Sequence, residues 1–137
     1  MRRIHLVALS ALWLAAAPAL AQSSSGNVIT LTTSIAYPSA QPGGFNEGAC
    51  MVSNDTTETI RVSFEATVTY ADGTSSRLVD DPPIEVDPGR GTGMQVLFFV
   101  PEDTALGPAV FQCEAQATGP GGHEREVGTA GFQVVAP

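Results

Sequence analysis

From Ile60 to Tyr70 the chain alternates without a break. Ile60, Val62, Phe64, Ala66, Val68 and Tyr70 share one parity, and Arg61, Ser63, Glu65, Thr67 and Thr69 share the other. In a helix, residues two apart point about 200° from each other, so no face would collect the apolar set; in a strand all six side chains point one way. The segment is therefore a half-buried strand, and the fold around it must supply a layer that covers its apolar face. Asp72-Gly73 follows at once, a strong hairpin signal, with a return strand expected through about Thr74 to Val79.

The rest of the chain reads in short extended pieces between turns. Val28 to Tyr37 alternates and gives a first strand, broken by Pro38 to Gly44, and Ala49 to Ser53 gives a short second one before the turn cluster Asn54 to Thr57. After Pro82-Pro83 come a brief extended piece at Ile84 and Val86 and the turn Asp87-Pro88-Gly89. Met94 to Val100 is apolar at nearly every position, as in a strand covered on both sides or lying at a partner surface. Pro101 to Gly107 is a connector with signals for one helical turn. Ala109 to Ala117 alternates again and points Cys113 inward, Gly119 to Gly122 turns the chain, and a last strand covers about Glu126 to Val135.

Seven or eight short strands with no amphipathic helix predict an all-β antiparallel sandwich. A chain of 137 residues is room for one domain. It divides as a signal peptide over 1–21, a flexible leader over 22–27 and the sandwich domain over 28–137. The signal follows from Met1-Arg2-Arg3, the apolar run Ile4 to Ala17 and the small residues of Ala19-Leu20-Ala21, with cleavage expected after Ala21. That run is too short for the roughly 20 residues a bilayer requires, and no later stretch is long enough, so no membrane span is expected in the mature chain.

Removal of the signal leaves four arginines, no lysine and all 14 acidic residues, a net of −10. Phosphate binding needs clustered cations, which excludes nucleic acid as an expected partner, and an anionic membrane surface would repel such a chain. The acidity reads as a solubility feature. Cys50 and Cys113 are the only two thiols, and in an exported chain they are expected to be oxidised to one disulfide worth about 4 kcal/mol by loop closure.

Taken together, Val52-Ser53-Asn54 leading into Ile60 to Tyr70, then Ala71-Asp72-Gly73, Asp87-Pro88-Gly89 and Val100-Pro101-Glu102-Asp103 with Gly107, resemble a bacterial immunoglobulin-like or fibronectin type III-like domain of the CARDB-like kind. The resemblance covers most of the mature chain. It implies an immunoglobulin-like sandwich in which Cys50 and Cys113 join the second and sixth strands across the two sheets. Two features depart from the antibody pattern: no Trp remains to pack on the disulfide, and Phe111 occupies the tyrosine-corner position two before the second Cys. Modules of this kind serve mostly as binding or spacer domains, and the resemblance carries over no catalytic residue.

The chemistry-bearing residues point the same way. A blue-copper site needs two His and a Cys, and only His123 is present in the mature chain, so no metal or other cofactor is expected. Asp72, Asp80, Asp81 and Asp87 lie near turns, where carboxylates suit calcium, but no Asp-x-Asp-x-Asp-Gly loop is present. No Gly-x-Ser-x-Gly elbow or supporting His favours nucleophilic catalysis, and an enzyme is not expected. Asn54-Asp55-Thr56 is a glycosylation sequon that reads more simply as an Asx turn.

What remains is recognition by surface and edge. If Met94, Val96 and Phe98 fill the core, Leu97 and Phe99 face outward as an apolar patch, unless the leader or a loop covers them. The expected function is non-enzymatic: protein–protein contact in the periplasm or outside the cell, with the partner unknown. The alternatives are a small secreted inhibitor or ligand-binding protein whose loops 38–48, 80–93 and 119–125 form one recognition end, and a calcium-binding or unrecognised enzymatic domain.

Overall fold

A computed structural model describes residues 21–137. The ten strands are β1 (Ala21–Ser25), β2 (Ile29–Ile35), β3 (Ser39–Ala40), β4 (Phe45–Asn54), β5 (Ile60–Thr69), β6 (Ser75–Asp80), β7 (Ile84–Val86), β8 (Gly91–Phe99), β9 (Gly107–Gly119) and β10 (Gly122–Val134). They form two facing sheets, one ordered β1-β2-β4-β8 and one ordered β3-β10-β9-β5-β6 with β7 also paired to β5. The fold is an all-β immunoglobulin-like sandwich, and its ladders are antiparallel except for the short parallel pair of β3 with β10.

The alternating segment is β5, and its apolar parity is buried from Ile60 through Tyr70. It lies inside its sheet, between β9 and the β6–β7 strands. The β5–β6 turn closes by Tyr70 N–H donating to Thr74 C=O and Gly73 N–H donating to Tyr70 C=O, and carries Gly73 at φ 85°, a left-handed conformation that glycine adopts without strain. The two sheets meet over Ile29, Leu31, Phe98, Phe111 and Phe132, with Phe98 and Phe111 stacked at 6.1 Å between ring centroids. Cys50 on β4 is bonded to Cys113 on β9 with their Cα atoms 5.9 Å apart, so the disulfide crosses from one sheet to the other through the core.

Several boundaries differ from the sequence reading. Residues 22–25 of the segment read as a flexible leader lie, with Ala21, in β1, which pairs with β2 along its whole length. Alternation misses it because Gln22 to Ser25 is polar throughout and buries almost nothing. β4 begins at Phe45 instead of Ala49, and Pro101 to Leu106 carries a turn closed by Thr104 N–H to Pro101 C=O instead of a helical turn. The export signal expected over 1–21 lies outside the described residues except for Ala21.

Candidate interaction surface

The outer face of the four-stranded sheet is built by the odd parity of β4 and β8. The ladder places Phe45 opposite Phe99, Glu47 opposite Leu97 and Met51 opposite Gly93. Because Val96, Phe98 and Val100 point into the core, Leu97 and Phe99 must point out, and they are 58% and 72% exposed. Phe45 and Met51 are also exposed, and Tyr37 meets Phe45 edge-on at 5.8 Å. Of the three residues whose inward placement would turn Leu97 and Phe99 outward, Val96 and Phe98 are buried, and Met94 packs against the core but is only partly buried. Neither β1 nor a loop covers the patch: β1 sits at the far side of the sheet, beyond β2.

β8 is also an edge strand. Among the described residues its only ladder is with β4, and the bonds that flank it set the phase. Arg90 C=O accepts from Asn54 N–H at 2.9 Å, and Val100 N–H donates to Gly44 C=O at 2.9 Å. Both are even positions. In an antiparallel ladder the bonding direction alternates, so the N–H and C=O groups of Gly91, Gly93, Gln95, Leu97 and Phe99 point away from β4. Their side chains line the outer face, and their backbone faces outward along the edge.

At the far end of the same sheet, β1 is also an edge strand, short and polar from Gln22 to Ser25, whereas the edges of the second sheet are occupied or blunted. Along β10 the Thr129 N–H donates to the Gln22 side chain at 2.9 Å, Ser24 donates to Glu126, and β3 pairs with the strand's end. Glu124 accepts from the N–H groups of Asn27, Val28 and Ile29 at 2.8–3.0 Å. Partial burial works against its charge, but the three backbone donors outweigh it and hold the carboxyl below the usual range. β6 carries Arg77 and Asp80, breaks register opposite Ala66 and Thr67, and runs into Pro82-Pro83. Charge, irregular register and proline are the devices that keep an edge from pairing, and β8 has none of them.

The other sequence candidates are placed as follows. The Asp72 carboxylate accepts from the Thr74 hydroxyl and N–H, which hold it below its ordinary range, and it sits at the β5–β6 turn. Asp87 accepts from Thr59 near the opposite end of β5, and Asp80 pairs with Arg77. The four acids do not converge, and no cluster of three or more metal-ligating side chains occurs among the described residues. His123 is exposed at the start of β10, 3.2 Å from the Thr118 hydroxyl, beside an open groove of about 320 Å³ that also includes Arg61, Ser63 and Gln116. Glu114 is held low by its hydrogen bond from Arg125. The shifts resolved for Asp72, Glu114 and Glu124 all run downward, which suits ionised structural groups, whereas a general acid at neutral pH needs the reverse.

Asn54 is buried. Its amide donates to the carbonyls of Glu58 and Val86, and its side-chain oxygen accepts from the N–H and hydroxyl of Thr56. That is the Asx turn, and it leaves no amide hydrogen for a glycan. The three loops do not share one end. Residues 38–44 lie by Val134 and Val100, whereas Gly89 bonds Asn54 beside Ile60 and Gly119, so loops 80–93 and 119–125 lie at the opposite end. The reason is strand length: β9 has 13 residues, roughly 40 Å of extended chain.

No family model matches the chain, and no curated protein sequence matches it. Solved structures do match in fold. The CARDB domain of a Pyrococcus furiosus protein, solved in complex with di-metal ions, superposes with TM-score 0.55 at 12% identity, covering 83% of this chain and 100% of that one. The C-terminal domain of wzt gives 0.56 at 13%, covering 84% and 78%. The Pseudomonas fluorescens alkylpurine DNA glycosylase AlkC, bound to DNA, gives 0.57 at 10%, covering 85% of this chain but 30% of its own. The chain thus spans under a third of the glycosylase. At these identities the likeness is one of fold alone. The disulfide suggests an oxidising compartment, and no helix among the described residues is long and apolar enough to cross a membrane.

Proposed function

We propose that the chain is an exported, non-enzymatic sandwich module that works by protein–protein contact in the periplasm or outside the cell, through the edge and outer face of β8. One observation carries the reading: β8 combines an unpaired backbone edge with the exposed side chains of Leu97 and Phe99. A free edge offers main-chain hydrogen bonds to an incoming strand, and the adjacent aromatic and aliphatic side chains supply apolar burial. The export pattern at the N-terminus and the disulfide support the compartment.

The test is affinity capture from the native envelope and medium with wild type and Phe99→Asp. Phe99 is surface-exposed and leaves the core untouched, so the variant keeps its circular dichroism and melting temperature while recovery of the bound protein falls on the order of tenfold, as for an aromatic hot spot. Undiminished recovery with Phe99→Asp would refute this surface as the contact.

A further inference from the structure

Resting on the reading of β8 as the contact strand, we propose that its occupant is a second copy of this chain, paired antiparallel β8 to β8 about a two-fold axis through Gln95. Three features of the strand favour a copy of itself over an unrelated partner.

The first is self-complementary size. Along the outward parity the strand runs Gly91, Gly93, Gln95, Leu97, Phe99, small at one end and large at the other. A two-fold at Gln95 keeps all nine residues of β8 paired and places Phe99 opposite Gly91 of the second copy and Leu97 opposite Gly93. Gly91 leaves room beside its backbone, since an added β-carbon would approach only the Val52 carbonyl, at 3.2 Å. Over Gly93 lies the Met51 thioether, an apolar floor for the incoming Leu97. In this register the outward N–H and C=O groups meet directly, giving about ten backbone hydrogen bonds.

The second is charge. Acidic residues outnumber basic ones 14 to 6 in the whole chain, yet Gly91 to Phe99 holds none of either sign. Two acidic copies can meet here without opposing like charges across the ladder. The third is closure. A two-fold pairing of β8 with β8 uses the same edge on both copies and leaves neither with a vacant half-site, so it ends at two copies, while the β10 edge is capped by β1 side chains and β3, and β6 is charged and irregular.

The test uses the mature chain with its native disulfide. Sedimentation is expected to give a dimer mass for wild type and a monomer mass for Gln95→Pro. That substitution deletes an N–H that points away from β4, so the β4 ladder survives and the near-ultraviolet spectrum stays native. Should Gln95→Pro fail to fold, cysteine cross-linking decides alone. Gln95→Cys sits on the axis, with Cα atoms about 5.5 Å apart, and is expected to form an intermolecular disulfide, whereas Leu97→Cys faces Gly93 of the second copy and is not. A wild type that stays monomeric, or Leu97→Cys cross-linking as readily as Gln95→Cys, overturns the proposal. A monomer that still captures another protein in a Phe99-dependent way would overturn the second copy while sparing the broader reading of β8 as a contact strand.

Discussion

The Phe111 ring lies directly against the backbone of Gly48. A β-carbon at that glycine would stand 2.3 Å from the ring's Cζ, inside any permissible contact. The two residues lie two positions before Cys50 and Cys113, so the close approach and the covalent bridge are neighbouring ties between the same two strands. Phe111 is fully buried and stacked on Phe98, so the ring has no free direction in which to move. Phe98 also meets Phe132 at 5.9 Å between ring centroids, so the three rings form one buried aromatic cluster.

Gly48→Ala is therefore expected to destabilise the domain by about 1–3 kcal/mol, the usual cost of overpacking. Urea denaturation measures it. Phe111→Leu in the same chain should recover part of the loss, giving a coupling above about 0.5 kcal/mol in a double-mutant cycle; strict additivity would show that the ring yields freely.

Replacing Cys50 and Cys113 by alanine, or reducing them, opens a cross-link with a sequence separation of 63. Loop-closure entropy sets the loss at about 4 kcal/mol. Against a typical total of about 5–15 kcal/mol, the reduced domain should melt far below the oxidised one in paired calorimetric scans.

Thr33 points into the core with no exposure, and its hydroxyl has no hydrogen-bond partner. It lies against Gly128, where an added β-carbon would collide with the hydroxyl oxygen. Thr33→Val keeps the shape and removes an unsatisfied buried polar group, so it should stabilise by about 1 kcal/mol. Chemical denaturation of the two proteins side by side reads the difference, and a less stable valine variant would contradict it.

Glu124 ties β10 to the β1–β2 turn through three backbone N–H groups. Its folded pKa lies below the ordinary value, so its contribution is complete above the unfolded carboxylate's pKa of about 4.3 and is lost as pH falls through the folded value. Wild type should exceed Glu124→Gln in stability at neutral pH, and the gap should close in acid. A gap that is constant from pH 7 to about pH 2 would contradict the assignment.

The elements legible from sequence were those whose side chains sort by parity. β5 and β9 each alternate cleanly between a buried and an exposed set, and that periodicity carries strand, face and the inward direction of Cys113 together. β1 was not legible, because a polar strand held by backbone pairing and by its contacts with Thr129 and Glu126 leaves no apolar period. The start of β4 was missed for a related reason: Asn46 and Gly48 occupy inward positions, one satisfied by the Tyr37 backbone and the other emptied for Phe111.

For the candidate surface, the outward direction of Leu97 and Phe99 followed from parity once Val96 and Phe98 were assigned to the core. Its status as an uncapped edge did not follow.

The amino-acid pattern alone determined that this chain is all-β, which residues of its alternating strands face inward, and that its two cysteines are each other's only possible partners, because side-chain alternation and residue counts are local properties. Only the tertiary structure decided which strands lie side by side, that β10 is capped while β8 is open, and that two of the supposed recognition loops sit roughly 40 Å from the third. Neighbour choice depends on backbone hydrogen bonds between distant segments, and every residue other than proline carries the same backbone donor and acceptor, so no residue type reveals it.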